Sequence, residues 1–218
     1  MALKIVKGDT KLEGAVKLTE EQAYQYQIGI VRNWEQTMEV FGFRVGPGIL
    51  SLTSGISAVV LLNHFRTKLR LGVMGRVTSY LPVVAMPSAL AALFHVSYIQ
   101  RNIVLRKYDC PLCVETRAAL LQTGIGLVYP LLLAPMASLM YATRHFTVRL
   151  PYLTEQPKEW LRLIVKLTRS TKGKLAYILI ANLIAGSAVT ALEFKEFDNI
   201  QMKFEELEKQ IESGLISK

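Results

Sequence analysis

An all-α integral membrane protein is the fold that this sequence predicts, and three observations predict it. Of the 218 residues, 51% are hydrophobic and the mean hydropathy is +0.28, high values for a soluble chain. The charged residues are crowded into blocks that separate four uncharged stretches. The Lys and Arg residues concentrate in alternate blocks, as in a chain threaded through a bilayer.

The uncharged stretches are 45–65 (21 residues), 77–100 (24), 118–143 (26) and 175–192 (18). A hydrocarbon core of ~30 Å needs about 20 apolar residues as helix. Each stretch therefore predicts a transmembrane helix, the last extended by Lys174 snorkelling to the interface. The chain divides into an extramembrane segment 1–44, a four-helix membrane domain 45–192 and a charged tail 193–218.

The net charge of +9 is distributed for a membrane, not for nucleic acid. Between the first two spans lie Arg66, Lys68, Arg70 and Arg76 with no acid. Between the third and fourth lie eight basic residues against Glu155 and Glu159. The positive-inside rule puts these loops on the cytoplasmic or matrix-equivalent face, and both termini and the 101–117 loop on the other. Anionic headgroups are the expected partners of the excess charge.

Taken in order, the chain shows no secretory signal, and its early acids spoil a mitochondrial presequence. Thr19 and Gln22 have the spacing of a capping box, and Ala23, Gln27, Ile30, Trp34, Met38 and Phe41 follow at helical spacing. An amphipathic helix over 20–41 is predicted, ended by Gly42. Gly46-Pro47-Gly48 is expected to break the chain before the first span. There Ser51, Ser54, Gly55, Ser57 and Ala58 form a small-residue face suited to close helix packing. Pro82 and Pro87 predict a bend in the second span, and His95 near its end reads as a packed or interfacial residue, not a metal ligand.

Pro157 suits the first turn of a helix. Trp160, Leu161, Ile164 and Leu167 against Arg162, Lys166 and Arg169 make that helix amphipathic and basic, so it should lie on the membrane surface. The three basic residues are candidate contacts for an anionic lipid such as cardiolipin. In the tail, Phe197, Ile200, Phe204, Leu207, Ile211 and Leu215 recur at spacings of three and four until Gly214 weakens the end. This heptad-like seam calls for a partner helix.

Cys110-Pro111-Leu112-Cys113 is the only motif that names a chemistry. A CxxC serves as a redox pair, as half of a zinc site, or as a local disulfide or two quiet thiols that fix the entry to the third span. Zinc would need two further ligands, and only His64, His95 and His145 remain, in three separate segments. A quinone-linked thiol oxidoreductase would need a second cysteine pair, and the chain has only two cysteines. The spans contain no Asp, Glu, Lys or Arg, and Asn182 reads as the one amide well inside them, which weighs against a coupled transporter. No phosphate loop or catalytic carboxylate pair is present.

Asp109, Cys110, Cys113, Thr116, Arg117 and Leu120, followed by Gly126, Tyr129-Pro130 and Leu133-Ala134, resemble the central signature of the transmembrane protein 126 family. Ala142, Arg144, Thr147 and Leu150-Pro151 continue the resemblance. It implies a multi-pass protein of the mitochondrial inner membrane with no catalytic residue, cofactor or metal. Its implied partners are membrane-arm subunits or assembly factors of respiratory complex I, which it would serve as an assembly factor or retained accessory subunit. A membrane thiol–disulfide oxidoreductase using Cys110 and Cys113 is the alternative.

Overall fold

The computed structural model describes residues 18–108, 110–148 and 157–213. Asp109, Leu150-Pro151, Gly214 and Leu215, and the side chain of Leu161, lie outside what is described. Every described element is helical: α1 (Glu20–Arg32), α2 (Phe41–Lys68), α3 (Arg76–Val104), α4 (Pro111–Arg144), α5 (Pro157–Arg169) and α6 (Lys172–Glu212). Four of them, α2, α3, α4 and α6, are long and apolar enough to cross a membrane, and α2 packs against the other three.

The N-terminal helix starts as its capping box requires, with the Gln22 amide on Thr19 Oγ1 and the Thr19 amide on Gln22 Oε1. It stops at Arg32, nine residues short of the predicted end. The Arg44 guanidinium explains the stop, donating to the carbonyls of Arg32 (2.6 Å) and Trp34 (2.8 Å) and to Thr37 Oγ1. A cation on the last carbonyls of a helix satisfies acceptors that have no partner in the helix. A short 3₁₀ turn, Thr37–Val40, leads into α2.

Gly42 and Gly46-Pro47-Gly48, expected as breaks, lie inside α2. Proline at position 47 cannot donate to the Phe43 carbonyl four residues back. Gln100 Nε2 on α3 donates to that carbonyl instead, at 3.2 Å, so the helix continues past the defect.

Pro87 and Pro130 are absorbed differently. A π-helical stretch, Leu81–Ala85, precedes Pro87, and another, Gly124–Val128, precedes Pro130. The wider turn makes room where the proline ring would press on the carbonyl four residues earlier. A third stretch, His95–Gln100, has no proline near it. It lies where α3 meets the buried acids of α6.

Three helices end alike. Arg70, Arg106 and Phe146 each take a left-handed φ (52°, 48° and 51°) just past α2, α3 and α4. The Leu71, Lys107 and Thr147 amides then return to the Arg66, Asn102 and Ala142 carbonyls, closing Schellman motifs without the usual glycine. The most elaborate of these corners is the first. Arg66, buried, donates to the carbonyls of Gly72 (2.9 Å), Met74 (2.8 Å) and Gly75 (3.3 Å) and to Ser79 Oγ (2.8 Å).

The predicted division between fourth span and tail is replaced by one unbroken helix of 41 residues. At 1.5 Å per residue α6 is ~60 Å long, twice the hydrocarbon thickness, so it is too long to lie wholly within a bilayer. Nothing in the sequence around Glu193 interrupts a helix: there is no proline or glycine between Gly186 and Gly214.

Candidate functional site: a buried polar ladder

The bundle interior carries two polar clusters, both assembled from helices distant in sequence. The first sits where α2 begins. The N-cap residue there, Val40, makes no side-chain cap, leaving first-turn amides without partners. The carboxylate of Glu196 on α6 supplies the cap from another helix, accepting from the Gly42 amide (2.7 Å) and the Phe43 amide (3.2 Å). The positive end of the helix dipole favours that anion. A Cβ on Gly42 would stand 2.9 Å from Glu196 Oε2, so the close approach needs glycine.

One turn earlier on α6, Glu193 is fully buried. Its Oε1 and Oε2 lie 3.0 and 2.9 Å from His95 Nε2, and Gln100 Nε2 donates to Oε1 at 2.7 Å. Gln100 therefore joins Glu193 to the Phe43 carbonyl. A carboxyl group removed from water needs hydrogen-bond partners, and His95 and Gln100 lie within reach of it here.

The second cluster lies deeper. Gln122 Nε2 on α4 contacts three acceptors: the Leu50 carbonyl (3.0 Å), Ser54 Oγ (3.0 Å) and Asn182 Oδ1 (3.1 Å). Asn182 Nδ2 donates to Ser57 Oγ and to the Ile178 carbonyl, both at 2.9 Å. Gly126 makes the space, because a Cβ there would overlap the Asn182 amide; one on Gly186 would reach Ala119 Cα at 2.8 Å. The small-residue face of α2 is thus used within the bundle, where interhelical amide bonds hold the spans in register.

Each expected site residue can now be located. Cys110 is the N-cap of α4 and Cys113 lies one turn in, and both are free thiols. The Cys113 thiol and amide and the Leu112 amide favour the Cys110 thiolate and hold it below the ordinary thiol range. Of the signature positions, Thr116 donates to the Leu112 carbonyl, Arg117 is exposed, Gly126 serves Asn182, Tyr129 OH reaches the Pro82 carbonyl at 3.4 Å and Pro130 is buried. The signature contributes a corner and packing surfaces.

The α6 seam is mostly consumed by the chain itself. Phe197 and Ile200 are buried with Val40, Phe43, Ile99 and Ile103, and Phe204 meets Trp34 edge-on at 5.8 Å. Among the described seam residues, Leu207 and Ile211 stay exposed, at 44% and 51%. On α5, Trp160, Leu163, Ile164 and Leu167 pack on Leu69, Leu71, Leu139 and Ala142. The basic residues Arg162, Lys166 and Arg169 are exposed, Arg162 paired with Glu159 at 2.6 Å. The three do face outward together.

Glu193, Glu196, Gln100 and Gln122 did not emerge from the sequence as functional. A signal existed for the acids: Glu193 lies four residues before Phe197, and Glu196 four before Ile200. Both are in phase with the apolar seam, where a solvated acid does not belong. Among the described residues no group of three or more His, Cys, Asp and Glu side chains is arranged to hold a metal.

The ladder is an internal brace. Its carboxylates and amides are bonded to the protein's own groups, and the fully buried Glu193 offers no access to a substrate.

Residues 27–207 match the protein family described as Transmembrane protein 126. A curated Drosophila melanogaster protein, "Transmembrane protein 126", is 39% identical over 213 residues, covering 97% of this chain and 96% of that one. No solved structure matches.

Proposed function

Because this chain belongs to the transmembrane protein 126 family, we propose that it is a non-catalytic mitochondrial inner-membrane scaffold for respiratory complex I. It would assist assembly of the membrane arm or stabilise it as a retained accessory subunit, binding membrane-arm subunits or other assembly factors. The signature around Cys110 and Cys113 supports the reading, and one structural observation carries it. The spans spend their polar groups on one another, through Glu193, Gln122 and Asn182, and turn apolar rows outward. Leu52 and Ile56 on α2, Leu132, Met136 and Met140 on α4, and Ile180 and Ile184 on α6 are all exposed. Such surfaces suit lateral packing against hydrophobic helices, and a rigid interior preserves their shape while partners dock.

Outside the bilayer, the C-terminal end of α6 offers Leu207 and Ile211 to a partner helix. The basic face of α5 suits a cardiolipin-rich surface. Both termini and the cysteine corner would face the intermembrane space. In mitoplasts, protease should then cut the end of α6; a protected end would reverse the orientation.

The thiol-oxidoreductase reading has one observation in its favour, the lowered Cys110 thiol beside a free Cys113. Native gel electrophoresis of inner membranes with mass spectrometry of each band tests the scaffold. Co-migration with complex I or its membrane-arm intermediates is expected, and migration with neither would sink it.

A further inference from the structure

We propose that the groove between the end of α2 and the start of α3 binds one acyl chain of an anionic phospholipid, with the lipid phosphate held at Arg76. The inference is independent of the complex I reading. The groove has a volume of about 730 Å³, within the range of small-ligand sites. Asn63 of α2 and Tyr80 of α3 form its wall, joined by a hydrogen bond from Tyr80 OH to Asn63 Oδ1. The groove is open: Val77 and Leu81, exposed at 79% and 67%, lie along it with Val84, and Arg76 lies at its α3 N-terminal end.

Three features point to a lipid. The lining runs from Arg76 to Ala85 along α3. That is ~14 Å of helix, close to the ~15 Å hydrocarbon depth of one leaflet. Its deeper part coincides with the π-helical stretch Leu81–Ala85, a local widening of the kind that often marks binding sites. At the Arg76 end, the 66–76 corner carries four cations and no acid. Arg66 is committed to the corner's own carbonyls, which fixes the backbone that presents Arg76. Lys68, Arg70 and Arg76 are exposed and complement a phosphate.

On α5, by contrast, Trp160, Leu163, Ile164 and Leu167 already pack on Leu69, Leu71, Leu139 and Ala142.

The test uses the full chain in phosphatidylcholine vesicles with a minority of phosphatidylglycerol carrying a photoactivatable acyl chain. Crosslinks should concentrate on Val77, Leu81 and Val84. Unlabelled phosphatidylglycerol should compete and added phosphatidylcholine should not. Arg76→Gln should reduce the crosslink ~fivefold, the effect of one interfacial cation. Leu81→Trp should block the groove with Arg76 intact, and combined R162Q, K166Q and R169Q should leave the groove signal unchanged. Both groove residues are exposed, and an unshifted thermal midpoint confirms folding of each variant. Crosslinks spread evenly over the outward faces of α2, α4 and α6, equal competition by the neutral lipid, or an unaffected Arg76→Gln would each overturn the proposal. So would a protein segment crosslinked to Val77 and Leu81 in native membranes in place of lipid.

Discussion

Gln100 Nε2 lies 3.2 Å from the Phe43 carbonyl, the acceptor left without an in-helix donor by Pro47. The same nitrogen bonds Glu193 Oε1 at 2.7 Å, so one amide repairs α2 and anchors α6. Replacing it with leucine strips a donor from a buried carbonyl and from a buried carboxylate. The expected loss is ~2–4 kcal/mol, read as a lower thermal midpoint in detergent. Pro47→Ala restores a backbone N–H to Phe43 and should recover part of that loss in the Gln100→Leu background. No recovery would mean that the Phe43 contact contributes nothing.

His95 and Glu193 should behave as a unit. His95→Leu leaves a fully buried carboxylate with Gln100 as its one remaining described partner, which should cost about 3–5 kcal/mol. Adding Glu193→Met removes the stranded group, so the double variant should be more stable than His95→Leu alone. Additive losses in a double-mutant cycle would show that the two side chains do not interact.

Glu196→Ala tests the cap supplied across helices. Losing a carboxylate cap should cost ~1–2 kcal/mol. The loss should be local, with hydrogen exchange rising at Gly42 and Phe43 while the middle of α2 stays protected. Uniform exchange along α2 would contradict the assignment.

The docking of α1 buries Ile28 and Val31 in the core and adds ion pairs at its start, which make it sensitive to pH. Glu20 Oε2 meets Lys107 Nζ at 2.6 Å and Glu21 Oε2 meets Arg101 at 2.9 Å. The bond from Lys107 holds the Glu20 carboxyl below its ordinary value of 4.5, and the bond from Gln25, with Arg101 behind it, does the same for Glu21. A carboxylate with a depressed folded value stabilises above its unfolded value and loses that contribution as pH falls through the folded one. The contacts should therefore be intact at neutral pH and fail below pH 4.5. Tyr24, whose ring lies under Arg101 at 5.4 Å, reports on this junction, and hydrogen exchange in α1 should rise at low pH and, because the pairs are exposed, with salt.

Hydropathy made the four spans legible because apolar length is a property of contiguous sequence. The capping box at Thr19 and the amphipathic face of α5 were legible for the same reason. The errors all arose where a distant side chain intervened. Pro47 reads as a break until Gln100, 57 positions away, supplies the missing donor. Glu193 reads as the end of a span because hydropathy cannot tell lipid from a bundle interior that provides His95 and Gln100. The α6 seam has the same periodicity whether it meets another protein or, as at Phe197 and Ile200, its own bundle. The cysteine corner was conspicuous by composition alone, whereas the ladder uses common residue types and shows itself only once the helices are side by side.

The most direct test of the scaffold account is the amount of assembled complex I in cells that lack the protein and are complemented with defined variants. Cys110→Ser with Cys113→Ser should restore the wild-type amount. Leu207→Glu with Ile211→Glu, which spares the bundle and spoils the exposed end of α6, should restore less at equal membrane abundance. Full rescue by the α6 variant with failure of the cysteine variant, or complex I undiminished without the protein, would contradict the account.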